Sequence, residues 1–353
     1  MTPCERMTSL RAGKPVDRVP CMPFMEELKC LNNKVTPLKY SRDSLIMADT
    51  EICNFERFGY DRVVIGPNSR GISEAFGAEF IYPDAGVPYP AEQTIKNPEY
   101  ADAPADAEDA DLSVIKVFDE AAAILAPRLD GIVPLEMSIG GPFTIASFLR
   151  GTEELLRDCR RRGREIHALL RVICDLQKKC IDIAAGYGAG IAMADPVASP
   201  ELIGPGMYRD FVMPYTQELT EYAKEVTGKG ASLHMCGKTY AIWKYLIQYP
   251  IGELSIDNVI DLRRAAAELG NHVHIAGNVD PVNVVMNGSR DEIRAEVHRC
   301  IEEGKRSEKG FTLATGCDIP ESTDPVKVEW FMDAAREFSC SSGKEMNAEV
   351  YRP

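Results

Sequence analysis

Residues 232–276 read SLHMCGKTYAIWKYLIQYPIGELSIDNVIDLRRAAAELGNHVHIA. Three short apolar runs, Ser232–Cys236, Glu253–Ile256 and His272–Ala276, are separated by two amphipathic stretches, Ala241–Gln248 and Asp261–Leu269. Runs of this length, bounded by turn residues, fit buried strands, and the intervening periodicity fits helices. Strands alternating with helices lie parallel, because each helix carries the chain back to the edge where the next strand begins.

The alternation extends in both directions. Val19–Met25, Arg62–Ile65, Gly131–Met137 and Gly190–Ala194 precede this stretch, and Phe311–Ala314 follows it. Helical patterns fill Glu153–Ala185, Pro205–Val226, Arg290–Glu303 and Pro325–Phe338. With no Gly/Ser/Pro-rich linker to split it, the chain predicts a single α/β domain over residues 1–353. Eight strand–helix units point to a closed (β/α)8 TIM barrel, which takes roughly 250 residues plus insertions. An open doubly wound sheet is the competitor; no G-x-G-x-x-G follows the first strand, which argues against its dinucleotide-binding form. Residues 71–111, ending in the acidic tract Tyr100–Asp111, read as an insertion built from a hairpin and a loop.

Composition narrows the partners. A net charge of -14 over 353 residues opposes nucleic-acid binding, which draws on a basic surface. No stretch approaches the roughly 20 apolar residues that span a bilayer, and the polar opening Met1–Lys14 lacks an export signal. A cytoplasmic protein without membrane contact is expected. The 11 cysteines are odd in number and scattered, so they read as free thiols, packing residues or metal ligands. Cys53, Cys174, Cys180 and Cys300 lie in helical patterns beside apolar residues and are expected to pack.

A barrel carries its chemistry at the C-terminal ends of its strands. Those ends, in order, offer Glu26 and Glu27, Asn68, Glu136, Asp195, His234 with Cys236, Asp257, Asn278 with Asp280, and Cys317. Residues two apart on a strand project to the same side, so His234 and Cys236 can grip one ion. Cys317 follows the eighth strand and can converge on them across the mouth. Two thiolates and an imidazole suit zinc with a fourth position left open, and Glu26 is placed to fill that position at rest. The residues alone leave a packing role for the thiols equally open. Asp195 is expected to bind substrate, orient His234 or cap the following turn. Asn68, Glu136, Asp257 and Asn278 are read as lining the substrate pocket, with Asn278 and Asp280 equally able to shape their loop. His272 and His274 read as structural. Met22, Phe24 and Met25 offer an apolar wall for an aromatic ring.

Several motifs point further: Glu5-Arg6-Met7, residues 13–20 (GKPVDRVP), 140–144 (GGPFT), 194–200 (ADPVASP), 233–237 (LHMCG), 276–281 (AGNVDP) and 315–320 (TGCDIP). In these the chain resembles the uroporphyrinogen decarboxylase superfamily, and within it the zinc-dependent, corrinoid-linked methyltransferases. The resemblance implies a (β/α)8 barrel, and zinc held by His234, Cys236 and Cys317. It also implies methyl transfer to or from the cobalt of a separate corrinoid protein. No D-x-H-x-x-G motif is present to hold a corrinoid within this chain. Decarboxylases of the superfamily carry substrate-binding arginines after strand one, whereas Met22–Leu28 holds two carboxylates and no arginine. Their key aspartate falls on Asn68. Porphyrinogen decarboxylation is therefore not expected, and a non-catalytic tetrapyrrole-binding relative is the weaker alternative. The resemblance favours a methoxylated aromatic or similar donor, with a methylcobamide:thiol reaction of the coenzyme M type as the alternative.

Overall fold

A computed structural model describes residues 1–97 and 99–341; Pro98 and residues 342–353 of the expected domain lie outside it. Its strands are β1 (Cys21–Met22), β2 (Val63–Ile65), β3 (Phe80–Ile81), β4 (Tyr89–Pro90), β5 (Leu135–Ser138), β6 (Gly190–Ala194), β7 (Ser232–Met235), β8 (Glu253–Ile256), β9 (His274–Val279) and β10 (Phe311–Thr315). Eight of them form one sheet in the order β1-β10-β9-β8-β7-β6-β5-β2. Every neighbouring pair in that sheet is parallel. The last strand thus returns beside the first, and the sheet curls until β1 and β2 face each other as its two edges. There the Asp61 N–H donates to the Cys21 carbonyl at 2.9 Å, and the Cys21 N–H donates to the Asp61 carboxylate at 2.6 Å.

Helices cover the outside of the sheet, so β8, β9 and β10 are buried at every residue, as strands walled on both faces must be. The inside of the curl carries charged side chains. At its floor, Arg62 from the start of β2 bonds Glu253 of β8 at 2.8 Å and Glu136 of β5 at 3.2 Å.

Several expected boundaries shift for local reasons. The strand expected over Val19–Met25 shrinks to Cys21–Met22, because Pro20 and Pro23 have no N–H to give a ladder. β9 starts at His274 and runs on to Val279, which draws Asn278 into the strand. The helix expected over Glu153–Ala185 breaks at Arg162 (φ -138°), giving Thr152–Arg161 and Gly163–Gly186. The helix expected from Pro205 is interrupted too, since Gly204 takes φ +73° and Tyr208–Val212 forms a wider turn before Met213–Thr227. Three helices ahead of β2 (Glu26–Asn32, Pro37–Arg42 and Ser44–Phe58) were not read from the pattern. Helix Asn68–Ala75 runs into the segment 71–111, and β3 and β4 there form an antiparallel hairpin. Phe80 anchors that hairpin edge-on against Phe148, 5.5 Å between ring centres. Cys174, Cys180 and Cys300 are buried as expected, whereas Cys53 is exposed, on the outer side of its helix. Among the described residues, no helix is long and apolar enough to cross a membrane.

Candidate metal centre

His234 sits on β7 and Cys236 immediately after it. The strand ends there because Gly237 takes φ +75°, and a Cβ at that position would crowd Glu201 and Ser199. The turn is held from outside: the Gly237 N–H donates to the Asp257 carboxylate at 2.7 Å, and the Lys238 N–H to Glu201 at 2.8 Å. Cys317 arrives from the other side of the mouth. Gly316 lets it approach, since a Cβ there would lie 2.2 Å from the backbone nitrogen of Asn258. The Cys317 loop is tied to the end of β1: Ile319 N–H donates to the Phe24 carbonyl at 2.8 Å, and Phe24 N–H to the Thr315 hydroxyl at 3.1 Å.

These ties bring one ligand atom from each of His234, Cys236 and Cys317 within 4.8 Å of one another. His234 Nε2 lies 3.3 Å from Cys236 Sγ, and its Nδ1 lies 3.0 Å from the Ser255 hydroxyl on β8. The thiols share a proton unequally. Donating to Cys317 and burial push the Cys236 thiol well up. The hydrogen bond from Cys236, aided by His234, pulls Cys317 down to about 4 against the cost of burial. Two thiols in contact cannot both ionise unless a cation replaces the shared proton. The donor set, two sulfurs and an imidazole nitrogen, fits a borderline-soft divalent ion such as zinc.

His234 and Cys317 line a cavity of about 140 Å³ that opens to solvent. Met22, Phe24 and Met25 form part of its wall, with the Phe24 ring edge-on to His234 at 6.0 Å. Glu26 also lines it, exposed in the first turn of helix Glu26–Asn32, but lies outside the 4.8 Å cluster. Asn68 (φ +45°) lines the adjoining vestibule beside Glu27 and Arg70.

Of the other expected residues, Glu136 lines the cavity, while Asp195, Asp257, Asn278, Asp280 and His274 belong to the frame around it. Asp195 is 1% exposed and caps helix Pro142–Arg150, accepting from Thr144 N–H at 2.8 Å and Thr144 Oγ1 at 2.6 Å. Burial pushes its carboxyl up to about 6. Its side chain does not orient His234; Ser255 does. Glu136 is not at the end of its strand, which is Ser138; it sits at the cavity floor with its carboxylate on Arg62. Asp257 secures the Cys236 turn through Gly237 and also accepts from Val259 N–H at 3.1 Å. Asn278, 2% exposed, spends its amide on the Asp257 and Ile260 carbonyls at 3.1 and 2.7 Å, so it shapes the loop rather than facing the cavity. Asp280 caps the turn after it, accepting from Val282 and Asn283. His274 is structural, with Nε2 2.8 Å from the Thr312 hydroxyl. Ser255 and Arg62 went unread in the sequence. The available signal was polar residues at alternate positions, Glu253 and Ser255, in a short strand otherwise apolar.

Residues 2–338 match the family described as uroporphyrinogen decarboxylase (URO-D). The chain belongs to that family. A URO-D relative, the methylated-thiol–coenzyme M methyltransferase of Methanosarcina mazei, is 27% identical over 344 residues, covering 96% of this chain and 90% of its own length. A methylcobamide:CoM methyltransferase of Methanosarcina barkeri is 27% identical over 346 residues, covering 94% and 97%. A uroporphyrinogen decarboxylase of Xanthomonas campestris is 23% identical over 354 residues, covering 92% and 96%. A solved methyltransferase from Methanosarcina mazei superposes with a TM-score of 0.81 at 24% identity, covering 96% of this chain and 99% of its own, which shows a shared fold.

Proposed function

We propose that this chain is a zinc-dependent methyltransferase working between a small thiol and the cobalt of a separate corrinoid protein, as a single closed (β/α)8 barrel in the cytoplasm. The observation that carries the reading is the convergence of His234, Cys236 and Cys317 at the mouth of the curled sheet. Relatives named for coenzyme M chemistry favour a thiol over the methoxylated aromatic that the sequence motifs put first. The aromatic donor stays as a second reading because Met22, Phe24 and Met25 make one wall of the cavity apolar. Arg62 and Arg70, which line this region, are both ion-paired, so among the described residues a polycarboxylate porphyrinogen finds no free arginine there.

His234, Cys236 and Cys317 would hold the metal. Bound zinc would supply a Lewis acid that keeps a substrate thiol ionised near neutral pH. The chain's own residues do the rest. Ser255 fixes the His234 ring, Asp257 and Gly237 fix the Cys236 turn, and the Phe24–Ile319 tie fixes the Cys317 loop. Glu26 is placed to take the thiol proton or to complete the metal's ligand set at rest. Asn68 and Arg70 in the vestibule flank the path by which the methyl group enters. The new S–C bond forms as the Co–C bond breaks, the thiol proton leaves, and cobalt keeps the electron pair, passing from Co(III) to Co(I). An in-line path needs the corrinoid face-on to the mouth.

Metal analysis of purified protein should find one zinc per chain, and Cys317→Ser should lose both the zinc and the conversion of methylcobalamin to cob(I)alamin by added thiol. Wild-type protein that neither holds zinc nor takes it up would refute the reading.

A further inference from the structure

The triad cavity and the vestibule beside it share Glu26 and Asp318, so a small molecule reaching the thiols passes through one continuous space. Among the described residues, the Lys and Arg side chains that line this space are Lys29, Arg62 and Arg70. Each is already committed. Lys29 bonds Glu51 at 2.6 Å, Arg62 bonds Glu253 and Glu136 at 2.8 and 3.2 Å, and Arg70 bonds Glu27 at 2.9 Å. These pairs are desolvated: the carboxylate partners are 2% to 8% exposed. Drawing a cation away would leave a buried carboxylate unpaired, a heavy cost. Glu26 and Glu321, by contrast, face the same space and hold no ion pair among the described residues.

We propose that the small molecule handled at this site carries no negative charge, because each described lysine and arginine lining the route is neutralised by a buried carboxylate while described carboxylates on the same walls are unpaired. The substrate is a neutral or cationic thiol. A thiol bearing a sulfonate, such as coenzyme M itself, meets no free cation and faces carboxylates of like charge. This rests on the methyl-transfer reading above and narrows its substrate class.

Three thiols of one length isolate the charge: 2-mercaptoethanol, 2-aminoethanethiol and 2-mercaptoethanesulfonate. With zinc-loaded wild-type protein and methylcobalamin, kcat/KM should be at least about tenfold higher for the neutral and cationic thiols than for the sulfonate, after correction for their different thiol pKa values. Calorimetric affinities of their unreactive S-methyl products should follow the same order, and that measurement does not depend on turnover. Glu51→Gln, which keeps the shape and frees Lys29, should shift both rankings several-fold toward the sulfonate. Equal or tighter binding of the sulfonate product by wild-type protein overturns the proposal, whatever the rates. Absence of turnover with all three thiols, with the charge ranking of the products intact, overturns the thiol reaction and leaves the charge preference standing.

Discussion

The Ser255 hydroxyl lies 3.0 Å from His234 Nδ1, which leaves Nε2 turned toward the thiols. A hydrogen bond to the far nitrogen of a ligating imidazole fixes its tautomer and ring orientation, and losing such a partner typically costs about 10–100-fold in metal affinity. Ser255→Ala should therefore weaken zinc binding by about tenfold or more in a chelator competition, without unfolding the chain. Unchanged affinity would mean the strand alone aims the ring. At this scale the triad was legible and its support was not. His234 and Cys236 are two apart in sequence, and Cys317 sits in a marked Gly-Cys turn. Ser255 is set by the register of β7 on β8, where His234 pairs with Ser255, and a single sequence does not display register. The same limit leaves Asp195 open among several roles, since its partner Thr144 lies 51 positions away.

Arg62, Glu136 and Glu253 join three strands, β2, β5 and β8, across the floor of the cavity. One guanidinium serves two carboxylates, and they divide unequally. Burial raises both, but Arg62 and His274 more than offset it for Glu253, bringing that carboxyl down to about 2. Glu136 stays raised, chiefly by burial. A carboxyl held below its ordinary 4.5 stabilises the fold fully above that pH and loses the contribution as pH falls toward about 2. Glu253→Gln should thus cost about 3 kcal/mol at pH 7. The gap between variant and wild type should narrow steadily in denaturant titrations repeated from pH 5 downward. A gap that stays constant with pH would show that Glu253 contributes shape and not charge. Strands and helices downstream of β5 were largely legible, because apolar runs and helical periodicity alternate cleanly there. The segment between β1 and β2 was not. Its three helices are short, and Glu26–Asn32 starts from Met25 without a side-chain cap to announce it.

The eight strands meet at one seam, where β1 and β2 face each other without a regular ladder. A side chain stands in for the missing rungs. Asp61 accepts from the Cys21 N–H, from Arg18 at 2.5 Å and from Arg6, and its own N–H donates to the Cys21 carbonyl. The seam lies far from the thiols along the chain, yet β1 leads directly to Phe24, whose carbonyl and amide hold Ile319 and Thr315 on either side of Cys317. Loosening it should therefore reach the metal centre through β1. Asp61→Asn keeps the size of the side chain but leaves two largely buried arginines without their shared carboxylate, a change expected to cost about 3–5 kcal/mol. Amide exchange should accelerate first at Cys21 and Asp61, ahead of β7, β8 and β9, which are paired on both sides. Zinc affinity should fall with it, although Asp61 touches none of the three ligands. Exchange that rises uniformly over the whole sheet would mean Asp61 adds to global stability without guarding the seam. Rapid exchange at Cys21 with unaltered zinc affinity would mean the Cys317 loop holds its place without β1.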